Sequence, residues 1–210
     1  MDTGRSGTKR KFKIVFLGEG RVGKTSIGLK WCEGSFDPQR RSTVQAGFYT
    51  KNVESSQGLV EINLWDTAGQ EEYHAVAPIY YKDSQAAILV FSVVDQISFD
   101  KIVQWHNELI NLRGDSVKIV VVANKIDLVD QRVIPYNKGE DYARSINCQY
   151  FEVSARTGQG IPALFQYLVE QLVSIPQKRS NQAASKRALM IIDEPEEQKP
   201  QQNQNSGCCG

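Results

Sequence analysis

Long apolar runs are missing from this chain. The longest, 86–94, is broken by Ser92 and falls well short of the roughly 18–20 residues a membrane-spanning helix needs. A charge of one sign is missing too. Lys+Arg 25 against Asp+Glu 24 leaves a net charge of +1, so bulk positive charge does not hold this protein on nucleic acid, and no nucleic-acid partner is expected. Cysteine is scarce: of the four, Cys32 and Cys148 stand alone and the other two are neighbours at the C-terminus, which excludes a disulfide framework. The basic residues Arg5, Lys9, Arg10, Lys11 and Lys13 lead into no apolar stretch of signal-peptide length, and position 2 is Asp rather than the Gly that myristoylation requires. A cytosolic protein is expected. No internal repeat is visible, which sets solenoids and propellers aside. What remains is 210 residues, 40% hydrophobic and 23% charged, enough for one domain with a sizeable core or two small ones.

Apolar runs rich in β-branched residues alternate with segments of helical period, the pattern of βαβ units and a parallel sheet covered on both faces. Strands are expected at 12–17, 59–65, 86–93, 117–123 and 150–153, and helices at about 24–33, 98–113, 137–147 and 161–174. Ser55-Ser56-Gln57-Gly58 has hairpin-turn composition, so 47–54 is expected as an antiparallel edge strand before 59–65. After Pro176 the composition turns to Gln, Asn, Ser, Pro and charge, and the segment is read as a disordered tail.

The first strand runs into Gly18-Glu19-Gly20-Arg21-Val22-Gly23-Lys24-Thr25, the phosphate-loop spacing at a strand-to-helix handover. Backbone N–H groups of such a loop can turn inward around phosphate oxygens, the helix adds its positive N-terminal end, and Lys24 adds a cation. Thr25 can then ligate Mg²⁺. A blander reading keeps the glycines for a tight turn only, and the loop by itself does not separate ATP from GTP. Asn124-Lys125-Ile126-Asp127 follows an apolar strand and places Asp127 at the carboxyl end of the sheet, where open α/β folds bind ligands. A carboxylate there accepts both N1–H and the exocyclic amine of guanine, a donor pair adenine lacks. With Ser154-Ala155-Arg156 after the last strand, GTP/GDP becomes the favoured ligand.

These motifs, ordered and spaced as they are, resemble those of Ras-superfamily small GTPases, and of the Rab branch in particular, over residues 11–174. The resemblance implies an α/β P-loop NTPase G domain at 12–175, a six-stranded mostly parallel sheet with one antiparallel edge strand and helices on both faces. A flexible basic N-terminus (1–11) precedes it and the tail (176–210) follows. It implies phosphate contacts from Gly18, Glu19, Gly20, Arg21, Val22, Gly23, Lys24, Thr25, Ser26 and Gly69, and guanine contacts from Phe36, Asn124, Lys125, Asp127, Ser154, Ala155 and Arg156. Mg²⁺ is then held by Thr25, by Thr43 of the first switch, and through water by Asp66. Trp65-Asp66-Thr67-Ala68-Gly69-Gln70-Glu71 resembles the second switch, with Gln70 orienting the attacking water and Lys24 stabilising charge. Gly20 leaves hydrolysis unhindered. Phe48, Trp65 and Tyr80 resemble the family's aromatic effector triad.

Two residues depart from the Rab pattern. Glu72 stands where Arg or Lys is usual, reversing a surface charge in the second switch, and Arg156 replaces the usual Lys. The chain ends Cys208-Cys209-Gly210; a CaaX box would need Cys at 207, where Gly stands. The ending resembles the double-cysteine signal that receives two geranylgeranyl groups, enough for stable membrane anchoring, and the apolar patch 188–192 resembles an escort-protein contact.

The expected protein is therefore a GTP/GDP switch that recruits effectors to an intracellular membrane, and residues 43–48 and 75–81 look most like the early-endosomal branch. Expected partners are an exchange factor, a GTPase-activating protein, a GDP-dissociation inhibitor, an escort protein and effectors. Two rivals stay open at this point: a guanine-nucleotide-binding scaffold without hydrolysis, and a phosphate-loop ATPase or kinase.

Overall fold

The computed structural model describes residues 9–40, 47–66 and 81–176. The chain divides into two units, Met1–Ile175 and Pro176–Gly210, and the first holds every strand and helix among the described residues. Its strands are β1 (Arg10–Leu17), β2 (Gly47–Ser55), β3 (Gly58–Asp66), β4 (Ala86–Ser92), β5 (Lys118–Asn124) and β6 (Gln149–Glu152). They form one six-stranded sheet in the order β2-β3-β1-β4-β5-β6. The β2 and β3 pair is antiparallel; the other four pairings are parallel. The hairpin predicted from Ser55-Ser56-Gln57-Gly58 is there, closed by the Ser55 and Gly58 pair. Gly58 turns at φ 99°, a backbone angle that favours glycine.

Among the described residues the α-helices are α1 (Lys24–Glu33), α2 (Gln96–Asp100), α3 (Ile102–Arg113), α4 (Tyr136–Ser145) and α5 (Ile161–Val173). Two expectations need correction. The stretch 98–113, expected as a single helix, is two, and the first starts earlier. Asp95 is the N-cap of α2, its Oδ1 accepting from the Ser98 N–H at 3.2 Å. The Ser98 hydroxyl donates to Asp95 O and accepts from the Ser92 N–H, so the capping turn is tied to the end of β4. Lys101 separates α2 from α3. At the other end of the chain, Arg10 and Lys11, expected within the flexible N-terminus, are the first residues of β1. The Arg10 guanidinium donates to Val173 O and Ile175 O, both at 2.8 Å. A cation on the carbonyl of the last residue of α5, and on one just beyond it, satisfies acceptors that a helix end leaves unpaired and complements its dipole.

Side chains alternate across the sheet, and the two buried clusters follow that alternation. Phe12, Ile14 and Phe16 of β1 join Ile88, Val90, Val120 and Val122 against α1 and α5. Val15 and Leu17 join Leu89, Phe91, Val121 and Ala123 against α3 and α4. Every residue of β4 is buried, which is why 86–91 reads as a continuous apolar run. Among the described residues no helix is long and apolar enough to cross a membrane.

Because β2 and β3 lie on one side of β1 and β4 to β6 on the other, the chain reverses direction of growth beside β1. In open α/β sheets the crevice at the carboxyl ends of the strands, at that reversal, is where ligands bind. The loops after β1, β5 and β6 all leave from those ends.

Candidate functional site

The loop between β1 and α1 is shaped by residues that leave ordinary backbone space. Gly18, Arg21 and Gly23 have φ of 136°, 62° and 98°. At Gly18 a Cβ would stand 2.1 Å from Val90 O, and at Gly23 it would stand 2.3 Å from the Asn124 amide nitrogen. These two glycines are therefore required by close approach of β4 and β5 as well as by their φ. The N-cap of α1, Gly23, offers no side-chain hydrogen bond, so the helix's positive N-terminal end meets the loop directly, the arrangement that suits an anion.

Lys24, the first residue of α1, is buried. Its ammonium donates to Gly18 O at 2.7 Å and Glu19 O at 2.8 Å, so it sits inside the curl of the loop. Burial pushes its pKa down to about 8, against the opposing pull of the Asp66 and Glu19 carboxylates. A buried cation held at such a cost is suited to anionic oxygens.

Thr25 donates from Oγ1 to Asp66 Oδ2 at 2.6 Å, joining the start of α1 to the end of β3. Asp66 is fully buried. Burial raises its pKa, while the Thr25 hydrogen bond and the charges of Lys24 and Arg40 pull it down. Its second oxygen, Oδ1, is buried without a hydrogen-bond partner among the described residues. A buried carboxylate oxygen without a donor, beside a threonine hydroxyl, is what a hard divalent cation such as Mg²⁺ takes as oxygen ligands. The residues present fit that ion.

On the base side, Asn124 is the hub. Its amide nitrogen donates to Val22 O at 2.8 Å, and its amide oxygen accepts from the Ala155 N–H at 3.1 Å. One buried side chain thus ties the phosphate loop to the loop after β6. Lys125 has φ 70°, and burial lowers its pKa against the pull of Asp95 and Asp127. The Asp127 carboxylate accepts from the Ser154 hydroxyl at 2.6 Å, and Ser154 Oγ accepts from the Thr157 N–H. The two loops read as base-binding, 124–127 and 154–156, are therefore hydrogen-bonded to each other through buried Ser154. Arg156 is exposed, which leaves the Ala155 backbone and Ser154 as that loop's inward groups.

Other predicted residues fall elsewhere. Phe36 packs, half-buried, on the core layer under α1 and α5. Phe48 is 56% exposed and stands edge-on to Trp65, ring centroids 5.3 Å apart. Trp65 is partly buried against the second core layer, with the Lys13 ammonium 4.2 Å from its ring centre. Thr43, Gly69, Gln70, Glu72, Tyr80, Cys208 and Cys209 lie outside the described residues.

Two contacts carry no signal in the sequence. The Glu19 side chain does not stay in the loop: Oε1 accepts from the Trp105 indole N–H at 3.1 Å and Oε2 pairs with Lys101 at 3.1 Å. Arg132 grips Glu152 with two parallel hydrogen bonds, at 2.8 and 3.0 Å, bracing the stretches that carry Asp127 and Ser154. Partners as far apart in the chain as Glu19 and Trp105, 86 positions, leave no local pattern.

Comparison with known proteins agrees with this geometry. The sequence profile of the Ras family matches residues 13–174. The Ras-related protein Rab-21 of Mus musculus is 40% identical over 212 residues, covering 97% of this chain and 94% of that protein. Its Homo sapiens counterpart is 38% identical over 213 residues, 97% and 93% of the two chains. That of Dictyostelium discoideum is 39% identical over 166 residues, 79% and 78%. The family profile thus spans the phosphate loop and both base loops, and the Mus musculus and Homo sapiens relatives align over nearly the whole chain. The chain belongs to the Ras family, as a Rab-type small GTPase that binds guanine nucleotide, hydrolyses GTP to GDP and acts in vesicle traffic.

Proposed function

We propose that residues 18–26, 124–127 and 154–156 hold one guanine nucleotide, with the phosphates in the loop around Lys24 and the base between Asn124, Lys125, Asp127 and Ala155. The observation that carries this reading is the double hydrogen bond of Asn124 to Val22 and Ala155, which brings the phosphate loop and the base loops to a common wall. Lys24 turns from the Gly18 and Glu19 carbonyls toward the β and γ phosphates and balances charge there. Thr25 and Thr43, and Asp66 through water, would hold Mg²⁺, which when bound draws charge from the phosphate oxygens. Gln70 orients the attacking water, and the loop N–H groups receive the charge that develops on the leaving phosphate. An arginine supplied by an activating protein adds about 10³–10⁵ in rate. Accordingly, Gln70→Leu should bind GTP as the parent does and turn it over at least about tenfold more slowly in single-turnover phosphate release, since an unpositioned water loses orientation. Equal rates would remove Gln70 from the mechanism.

As a Rab protein the chain works with regulators and effectors at an intracellular membrane. The finer reading is an exchange factor and a GTPase-activating protein driving the cycle, with Phe48, Trp65 and Tyr80 as the effector face. A GDP-dissociation inhibitor and an escort protein handle the lipidated form. The exposure of Phe48 beside the ring of Trp65 supports that face, since exposed aromatics make strong binding anchors. Geranylgeranyl groups on Cys208 and Cys209 would anchor the chain, and residues 43–48 and 75–81 favour the early endosome. A tagged chain should decorate endosomal membranes, and a Cys208→Ser/Cys209→Ser variant should be diffuse. A variant that stays on membranes would overturn the lipid anchor.

A further inference from the structure

The phosphate loop carries a carboxylate whose position is unfavourable unless something restrains it. Glu19 lies between two glycines of the loop, and its backbone carbonyl accepts from the Lys24 ammonium at 2.8 Å. Its charge is near enough to Lys24 to oppose the lowering of that residue's pKa. A free carboxylate at this place would repel the phosphates that the loop receives. In the structure both of its oxygens are engaged away from the loop. The Trp105 indole N–H holds Oε1 at 3.1 Å and the Lys101 ammonium holds Oε2 at 3.1 Å. Lys101 and Trp105 are one helical turn apart and so lie on the same face. Trp105 is buried, and the Glu19 side chain is only 16% exposed. The indole is therefore a fixed donor, and the ammonium balances the charge at the half-exposed rim.

We propose that Lys101 and Trp105 are positioning residues for nucleotide binding, acting through Glu19: they clamp its carboxylate onto α3, so that the phosphate loop keeps its curl while its negative charge points away from the phosphates. The break between α2 and α3 falls at Lys101 itself, so the clamp also links the loop to the segment that follows β4. This inference rests on the reading of residues 18–25 as the phosphate cradle.

The test is the rate at which a fluorescent GDP analogue leaves the full-length protein in Mg²⁺ buffer, with the melting temperature measured in parallel. Lys101→Met/Trp105→Phe keeps most of the apolar bulk but removes both donors, and release should speed up by about tenfold, equivalent to about 1.4 kcal/mol. Adding Glu19→Gln to that pair removes the freed charge and should return release to within about threefold of the parent, even if the melting temperature stays lowered. A merely structural role for Trp105 would instead give fast release with or without Glu19→Gln, and that result, or release unchanged in the pair, overturns the clamp. Lys24→Ala in the same assay separates the two ideas: if it leaves GDP binding intact, the cradle itself is misplaced, whereas its loss with an unchanged clamp variant refutes only the clamp.

Discussion

Replacing Lys24 with alanine is expected to weaken both GDP and GTP by about two to four orders of magnitude. The side chain is buried at the head of α1, held by Gly18 O and Glu19 O and faced by the buried Asp66 carboxylate. Removing it takes away the buried cation that would pair with the β and γ phosphates, leaving their charge unbalanced in the loop. Breaking a buried charge pair in this way costs about 3–5 kcal/mol, which is the stated range of affinity. Equilibrium titration with a fluorescent nucleotide reads it. The same residue sets a pH dependence. Burial holds the unliganded ammonium near a pKa of about 8, and phosphate oxygens would raise it. Binding therefore takes up a proton above pH 8, so affinity should be flat at neutral pH and fall as pH rises past about 8, by at most tenfold per pH unit. A loss on the acid side of neutrality instead would point to a different group.

The second large effect is a change of base specificity at Asp127. An ionised carboxylate only accepts hydrogen bonds, and guanine offers it N1–H and the exocyclic amine; an asparagine amide presents one acceptor and one donor. Asp127→Asn should therefore lose guanine nucleotides and gain those of xanthine, whose carbonyl at the amine position accepts from the new N–H. Sites built to hydrogen-bond a particular group discriminate by about 10⁴–10⁵ against a base that leaves it unpaired. The ratio of GDP to xanthosine diphosphate affinity should accordingly shift by at least about a thousandfold in the variant. The Asp127 carboxylate also accepts from Ser154, and the asparagine oxygen can keep that bond, so the fold should survive the change. Unaltered preference for guanine would place the base elsewhere.

Much of this site is legible in the sequence because its residues cluster at strand ends. α1 is legible at both boundaries, since Gly23 and Lys24 mark its start and Gly34, at φ 72°, stops it. The β2–β3 hairpin is legible for the same local reason. What escapes is non-local. Asn124 can be named, but its task of bridging Val22 and Ala155 spans 102 positions one way and 31 the other. The Glu19 contact with Trp105 and the Arg132 grip on Glu152 depend on helices and strands returning to the same edge, which residue spacing does not encode. The division of 98–113 into two helices is hidden because Asp95 and Ser98 act together as a cap tied to Ser92, a tertiary arrangement that a helical period alone does not reveal.

The loops after β1, β5 and β6, tied together through Asn124, are proposed to form the pocket for guanine with its phosphates. The most direct measurement of that pocket is the affinity of the full-length protein for GDP and for ADP under identical Mg²⁺ and salt. The arrangement of Lys24, Asn124 and Asp127 predicts GDP binding tighter by at least about a thousandfold. ADP binding as tight as GDP, or tighter, would contradict it.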